Sequence, residues 1–260
     1  MNRVINFSKR NLKELIRDPL IYIFCLGFPI VMLLLFYLIN SYSQGNTPTF
    51  EIRALLPGIM TFSYSFVMLA MGLLVSKDRQ TFFLKRLYSS PMKAHQFVLG
   101  YALVGVIVGI CQTLVCAIAG LVISLLTKGE TISFAQLILL GFSQMSILII
   151  NVFLGILFGT VLSDKSAPGI CSVFISASGI LGGCWMPVET MGGFETICRF
   201  LPFYPSVYIG RIITNATTAF QTTYTFDAVA GLGLIPLALF LAVSVGLSFV
   251  LFKMSMTSDK

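Results

Sequence analysis

The chain has 260 residues, of which 57% are hydrophobic and 10% charged, and its net charge is +7. A soluble domain carries about 25% charged residues, so this chain cannot cover itself with a polar surface and its apolar excess must face lipid. The mean hydropathy of +0.92 agrees, and the apolar segments leave no room for a fused nucleotidase, kinase or receptor domain.

Residues 1–19 open the chain as a predicted amphipathic helix. On a helical wheel Arg3, Lys9, Arg10, Lys13 and Arg17 share one arc. Val4, Ile5, Leu12, Leu15 and Ile16 fill the adjacent arc, with Phe7 just beyond its edge. Two segregated faces are the mark of a helix lying in the membrane interface, more than of a plain basic flank. Asp18-Pro19 ends it, because a residue before proline avoids the α region. The segment does not read as a cleaved signal peptide: the apolar run after it is too long, and no small-residue cleavage site closes it.

The transmembrane part, residues 20–260, holds six apolar runs: 20–40, 55–75, 97–126, 134–162, 168–186 and 226–252. Each has about the 20 residues needed to cross a ~30 Å hydrocarbon core. Helices are the expected conformation, since open strands would leave backbone groups unpaired in lipid. With the N-terminus inside, the inner segments carry 13 of the 17 Lys and Arg and the outer ones 4. This positive-inside bias predicts that both termini are cytoplasmic. The basic excess therefore serves topology rather than nucleic acid, and it can also meet anionic lipid or an acidic partner.

The connection after the second run is longer than a turn requires. It opens on Ser76-Lys77-Asp78-Arg79, continues as a short helix with Phe83, Leu84 and Leu87 on one side, and stops at Ser89-Ser90-Pro91. Such a helix, held between two spans, can transmit a push from a partner; the alternative is a loop resting on lipid. The outer connection 187–226 is apolar but broken at Pro187, Gly192-Gly193, Pro202 and Pro205. Two short re-entrant helices are expected there, with Trp185, Phe203, Tyr204 and Tyr208 at headgroup level.

Other chemistries find little support. Cys25, Cys111, Cys116 and Cys171 read as small apolar residues inside spans, while Cys184 and Cys198 lie close enough to the outer face for a bond to be an option. His95 is the single histidine, so a zinc-protease motif is excluded. No carboxylate lies in the interior of a run, Asp227 standing at the edge of the last, which disfavours intramembrane hydrolysis and ion-coupled carriage. Gly159 to Ser166 approximates a phosphate loop, but Asp164 stands where a glycine is needed. Three G-x-x-x-G pairs, Gly105/Gly109, Gly155/Gly159 and Gly179/Gly183, allow close helix approach within the subunit or between copies. Ser63, Ser65, Gln112, Gln144, Asn151, Ser176 and Ser178 are expected to bond to neighbouring helices.

Three features together resemble the membrane subunit of type-2 ABC exporters, the group that includes the daunorubicin-resistance permeases. They are the basic interfacial helix, the stretch Arg79…Leu87-Tyr88-Ser89-Ser90-Pro91, and Gly182-Gly183…Met186-Pro187…Leu201-Pro202…Pro205…Arg211. The chain departs from the family at Asp78-Arg79 and Thr81-Phe82, where Glu and Gly-Thr are common. The resemblance implies a homodimer, or a pseudo-dimer with a paralogous permease, joined to two cytoplasmic ABC ATPase subunits. ATP and Mg would then be cofactors of the partner, with none in this chain. Arg79, Lys85, Arg86, Leu87, Ser89, Ser90 and Pro91 would couple to the ATPase, with Lys9, Arg10, Lys13 and Arg17 of the interfacial helix as a second contact. If spans 1, 2 and 5 line the path, Phe24, Phe28, Phe62, Tyr64, Phe66 and Met68 are candidate cargo-path residues.

The expected fold is an all-α integral membrane protein with six transmembrane helices, an interfacial helix, a cytoplasmic coupling helix and re-entrant outer helices. The expected function is the permease subunit of an ATP-driven exporter in a bacterial plasma membrane, with an amphiphilic cargo such as a drug, an antimicrobial peptide or a lipid-like molecule. The alternatives are export of a lipid-linked polysaccharide, and a channel or membrane scaffold not driven by ATP.

Overall fold

Helix α1, Asn2–Ile16, stops where Asp18-Pro19 forbids its continuation. The computed structural model describes residues 2–42, 48–81, 92–127 and 131–258. The first span, α2 (Tyr22–Tyr42), begins as a π-helical stretch, Tyr22–Gly27, before the regular turns of Phe28–Tyr42. Pro29 lies just beyond that stretch. A proline lacks the N–H for the i−4 carbonyl and its ring crowds that carbonyl, and a wider turn is one way to absorb both effects.

The remaining helices are α3 (Ile52–Gln80), α4 (Ala94–Leu126), α5 (Phe134–Ser143), α6 (Met145–Val161), α7 (Ala167–Leu181), α8 (Gly193–Arg199), α9 (Phe203–Ile213) and α10 (Ala228–Ser258). Helices α5 and α6 are one rod bent at Gln144. Five helices are long and apolar enough to cross a membrane: α2, α3, α4, the α5–α6 rod and α10. The run expected as a span at 168–186 is helical over only Ala167–Leu181. At 1.5 Å per residue such a helix is roughly 22 Å long, less than the ~30 Å hydrocarbon core. Gly182 to Met186 then turn the chain, and Gly183 there has φ +61°, which a side chain would strain.

Helix α3 is the axis of the bundle, packed on α6, α4, α7, α9 and α2. Of its most apolar 18-residue window 83% is buried, against 17% for α2 and for α10. The close approach of α3 and α6 needs glycine: a Cβ on Gly155 would sit 2.5 Å from the Met68 carbonyl oxygen, and one on Gly159 2.6 Å from that of Gly72. Gly105 and Gly109 of α4 seat Val152 and Leu148 of α6 in the same way. The Gly155/Gly159 and Gly105/Gly109 pairs thus serve packing inside the subunit. Gly159 is committed to this helix contact, so the string that follows it is no phosphate loop.

The polar side chains of the spans are largely used between helices. Ser65 and Ser178 share a hydrogen bond of 2.7 Å, and the Gln112 amide donates to the Ser63 carbonyl at 2.9 Å. The side chains of Ser63, Asn151 and Ser176 instead donate to carbonyls about one turn back in their own helices. The six cysteines are all unbonded, so Cys184 and Cys198 do not pair.

The bundle has two distinct ends. Phe7 packs on Phe97, and Phe97 on Phe252, so the first and last helices meet at one end. This is called the basic end, because Lys9, Arg10, Lys13, Arg17 and Lys77 gather there. The start of α3, α8, α9 and residues 214–227 form the opposite end.

Candidate functional site

At the basic end the sequence places an acid, Asp78, between Lys77 and Arg79 in the last turns of α3. Its side chain is only 2% exposed, and a buried carboxylate must be paired or hydrogen-bonded. Arg10 of α1 supplies the pair, with Nη1 2.9 and 2.7 Å from the two carboxylate oxygens. The Tyr101 hydroxyl of α4 donates at 2.7 Å. Arg10 also bridges to Glu14 at 2.7 Å, and Lys77 to Glu14 at 2.9 Å. Burial pulls the Arg10 guanidinium down, but its bond to Asp78 and the charges of Asp78 and Glu14 outweigh that and leave it above its ordinary value.

The same helix is anchored by an aromatic. Phe7 stands edge-on to Phe97 at 5.4 Å and to Tyr101 at 4.9 Å, over Gly100, where a Cβ would lie 2.5 Å from the ring. Ser8 donates to the Gly100 carbonyl at 2.9 Å. The buried stripe of α1 is therefore Phe7, Ser8, Asn11 and Leu15, which faces protein. This shifts the predicted apolar face: Ile5 and Ile16 remain exposed, and Phe7, expected at the margin, is the anchor. Lys9, Lys13 and Arg17 are exposed, off the buried stripe.

Of the residues expected to couple to a partner, Arg79 is half-buried in the last turn of α3. Lys85, Arg86, Leu87, Ser89, Ser90 and Pro91 lie outside the described residues.

Four of the six candidate path residues come together. Phe24 and Phe28 of α2 meet Phe66 of α3 at 5.7 and 4.9 Å, and Phe28 meets Phe62 at 5.9 Å. The row continues from Phe62 to Trp185 at 4.8 Å and from Trp185 to Phe36 at 6.1 Å. Tyr64 and Met68 do not join it. They are wholly buried inside the subunit, and the Tyr64 hydroxyl shares a hydrogen bond of 2.7 Å with Thr113 of α4. Successive helical residues point about 100° apart, so 62 and 66 share a face that 64 does not.

At the opposite end, Arg211 of α9 is 1% exposed. Its guanidinium donates to the carbonyls of Gly183 at 2.8 Å and Ala54 at 3.2 Å, and to the Tyr224 hydroxyl at 3.2 Å. Glu189 lies 3.6 Å away and accepts a hydrogen bond from Tyr224. Burial holds the Glu189 carboxyl above its ordinary value, Arg211 draws it down, and Glu195 pushes it up again. Nearby, the Gln144 bend is a second junction: Thr61 and Ser206 donate to its side-chain oxygen at 2.8 and 2.9 Å, and its amide donates to the Ser206 carbonyl at 3.0 Å.

Two features escaped the sequence. Arg10 is one of four basic residues on α1, and nothing in the spacing singles it out as the partner of Asp78. Arg211 stands in the segment expected to be re-entrant, a reading that does not say whether its charge faces water or protein. The usable signal for Arg211 was its isolation after Val207-Tyr208-Ile209-Gly210, whereas Asp78, between Lys77 and Arg79, carries no such signal.

The model of the ABC-2 type transporter family matches residues 3–215, from α1 through α9. No significant match to a curated protein was found. The matched region contains the Arg10–Asp78–Tyr101 junction, the aromatic row and Arg211 with its partners other than Tyr224, and membrane subunits of this family pair with ATPase subunits. The long apolar helices place the chain in the membrane as a multi-pass protein. It belongs to the ABC-2 type transporter family, as a membrane-embedded permease subunit that serves transport and not catalysis.

Proposed function

We propose that the chain is the permease of an ATP-driven exporter with an amphiphilic cargo, acting as a homodimer or with a paralogous permease. Two cytoplasmic ATPase subunits, holding ATP and Mg, dock at the basic end through residues 79–91, and both termini face the cytoplasm of a bacterial plasma membrane. The observation that supports this most is the Arg10–Asp78–Tyr101 junction. It lies directly before the segment 79–91, so a force on that segment acts on the end of α3, on α1 and on α4 together. Because α3 is the axis of the bundle, the same force reaches the Phe62 and Phe66 face, which is where an apolar part of a cargo would pass.

The test is recovery of the cognate ATPase with variant permeases. Leu87→Asp alters no span and abolishes ATPase association and transport, because an interface anchor carries about 2 kcal/mol or more. Lys85→Ala weakens association mildly and more at low salt, as a rim charge does. Normal recovery of the ATPase with Leu87→Asp overturns the docking assignment. Orientation and the six-span topology, in which the short α7 and the turn after it make the fifth crossing, are tested by cysteines at positions 195 and 215, which label from outside in intact cells; labelling only after permeabilisation rejects the topology.

A further inference from the structure

Between α1, the π-helical start of α2 and the basic end of α3 lies a cavity of about 1080 Å³. Its walls are apolar, with Ile21 and Phe24 on one side and Phe66, Leu69, Ala70 and Leu73 on the other. Its rim is charged. Arg10 and Lys77 are engaged with Glu14 and Asp78, and Ser76 donates to Asp164 at 3.3 Å. Asp18 also lines the rim. Lys9 and Lys13 of α1 and Arg17 just past its end line it as well, spaced four apart, exposed and without an ion pair among the described residues.

We propose that this cavity binds one anionic phospholipid of the leaflet at the basic end, its phosphate on Lys9, Lys13 and Arg17 and an acyl chain lying against the wall that Phe24, Phe66 and Leu69 form. The arrangement matches the two halves of that molecule and no simpler one. A free phosphate has no use for the apolar wall, and a zwitterionic lipid carries its own cation to a rim that already has unpaired ones. An acidic protein surface could meet the three cations but could not reach the wall behind them. The volume is at the upper limit of small-molecule pockets, about 1,000 Å³, which suits a headgroup with part of a chain. The site stands apart from the transport reading: it requires only that the chain sit in a bilayer.

Tryptophan quenching by brominated lipids tests the site in the full chain in vesicles. The single native tryptophan is replaced, Trp185→Phe, and a reporter is placed in the wall, Phe24→Trp. A control chain carries Val250→Trp on the exposed face of α10. Brominated phosphatidylglycerol is expected to quench the reporter at 24 about five-fold more effectively than brominated phosphatidylcholine, beyond any preference at 250 that comes from general surface charge. The triple variant Lys9→Gln, Lys13→Gln, Arg17→Gln brings the preference at 24 down to that at 250. Ala70→Phe fills the cavity without touching a charge, and it lowers quenching at 24 by both lipids; this arm decides if the triple variant does not fold. Equal preference at 24 and 250 overturns the proposal. So does a preference that survives the triple substitution, including the case where those substitutions abolish ATPase recovery alone.

Discussion

Among the described residues each end of the bundle buries one charge, and the two are held in opposite ways. At the basic end the buried charge is the anion, Asp78, and it depends on an ion, Arg10, whose side chain is 37% exposed and stands on a separate helix. At the opposite end the buried charge is the cation, Arg211, and it is held mainly by neutral acceptors: the carbonyls of Ala54 and Gly183 and the hydroxyl of Tyr224. A buried charge without a partner is costly. The state of Asp78 therefore depends on where α1 sits, whereas Arg211 is solvated by backbone that moves only if α3 and the end of α7 move. One end is a latch with a removable part, and the other is a weld.

The largest expected effect breaks the weld. Arg211→Met removes the donors of the two carbonyls and of Tyr224, all in a buried setting. Each orphaned acceptor costs about 1–3 kcal/mol, so a loss of about 3 kcal/mol or more is expected. It should appear as a large fall in the thermal unfolding midpoint of the purified permease and in poor insertion yield. A variant within a few degrees of the parent would show that water reaches the site and that both ends are latches.

The next effect opens the latch. Arg10→Ala leaves Asp78 with Tyr101 as its remaining donor, a cost of about 2 kcal/mol, reduced from the fully buried case because water reaches the half-exposed Arg10 position. Adding Asp78→Asn removes the stranded charge and should restore more than half of that loss. The damage should be local. Hydrogen exchange should rise across α1 while α3 and α6 stay protected, since Phe7 and Ser8 alone then hold the helix to α4. A uniform rise would mean that α1 is part of the core and not a separable part.

Much of this was legible in the sequence. The apolar runs, the end of α1 at Asp18-Pro19, the broken outer segment and the helix-packing glycines all follow from local rules about length, proline and side-chain size. The rotation of each span was not legible. Helices α4, α6 and α10 are apolar nearly all round, so composition does not say which side faces protein, and Phe62 could not be separated from Tyr64 until α2 and α4 were in place. Burial of Arg211 was hidden for a related reason. Its partners Ala54, Gly183 and Tyr224 are distant in sequence, and two of them contribute only a backbone oxygen, which leaves no residue-type signal. The 15-residue length of α7 was masked by Gly182, Gly183, Cys184 and Trp185, which extend the apolar run without extending the helix.

Between the two extremes lies Glu189, whose effect depends on pH. Its carboxyl is held above the ordinary glutamate value of 4.5, mainly by burial. The folded state then binds this proton more tightly than the unfolded state. Its contribution is fully present below about 4.5 and is lost as pH rises through the raised folded value. Glu189→Gln should abolish that slope in the thermal midpoint. At neutral pH it should change stability by no more than about 1 kcal/mol, because Arg211 keeps its carbonyl acceptors. A collapse comparable to that of Arg211→Met would show that the ion pair, and not the backbone, holds the arginine.

The smallest effect is expected at Lys77, and it tests how wet the basic end is. Its Nζ lies 2.9 Å from Glu14, but the lysine side chain is 57% exposed, and Glu14 keeps Arg10 at 2.7 Å when Lys77 is removed. Exposed pairs of this kind contribute about 0.2–1 kcal/mol and are screened by salt. Lys77→Ala should therefore cost about 0.5 kcal/mol at low salt and less at high salt. A double-mutant cycle with Glu14→Ala should give a coupling energy that shrinks in the same way. The charge network around Asp78 would then be graded, from a firm inner bond to a loose outer one, with α1 able to detach from the outside inward. A coupling above about 1 kcal/mol that does not respond to salt would mean that the basic end is as dry as the other. The contrast between latch and weld would then rest on Arg10 alone.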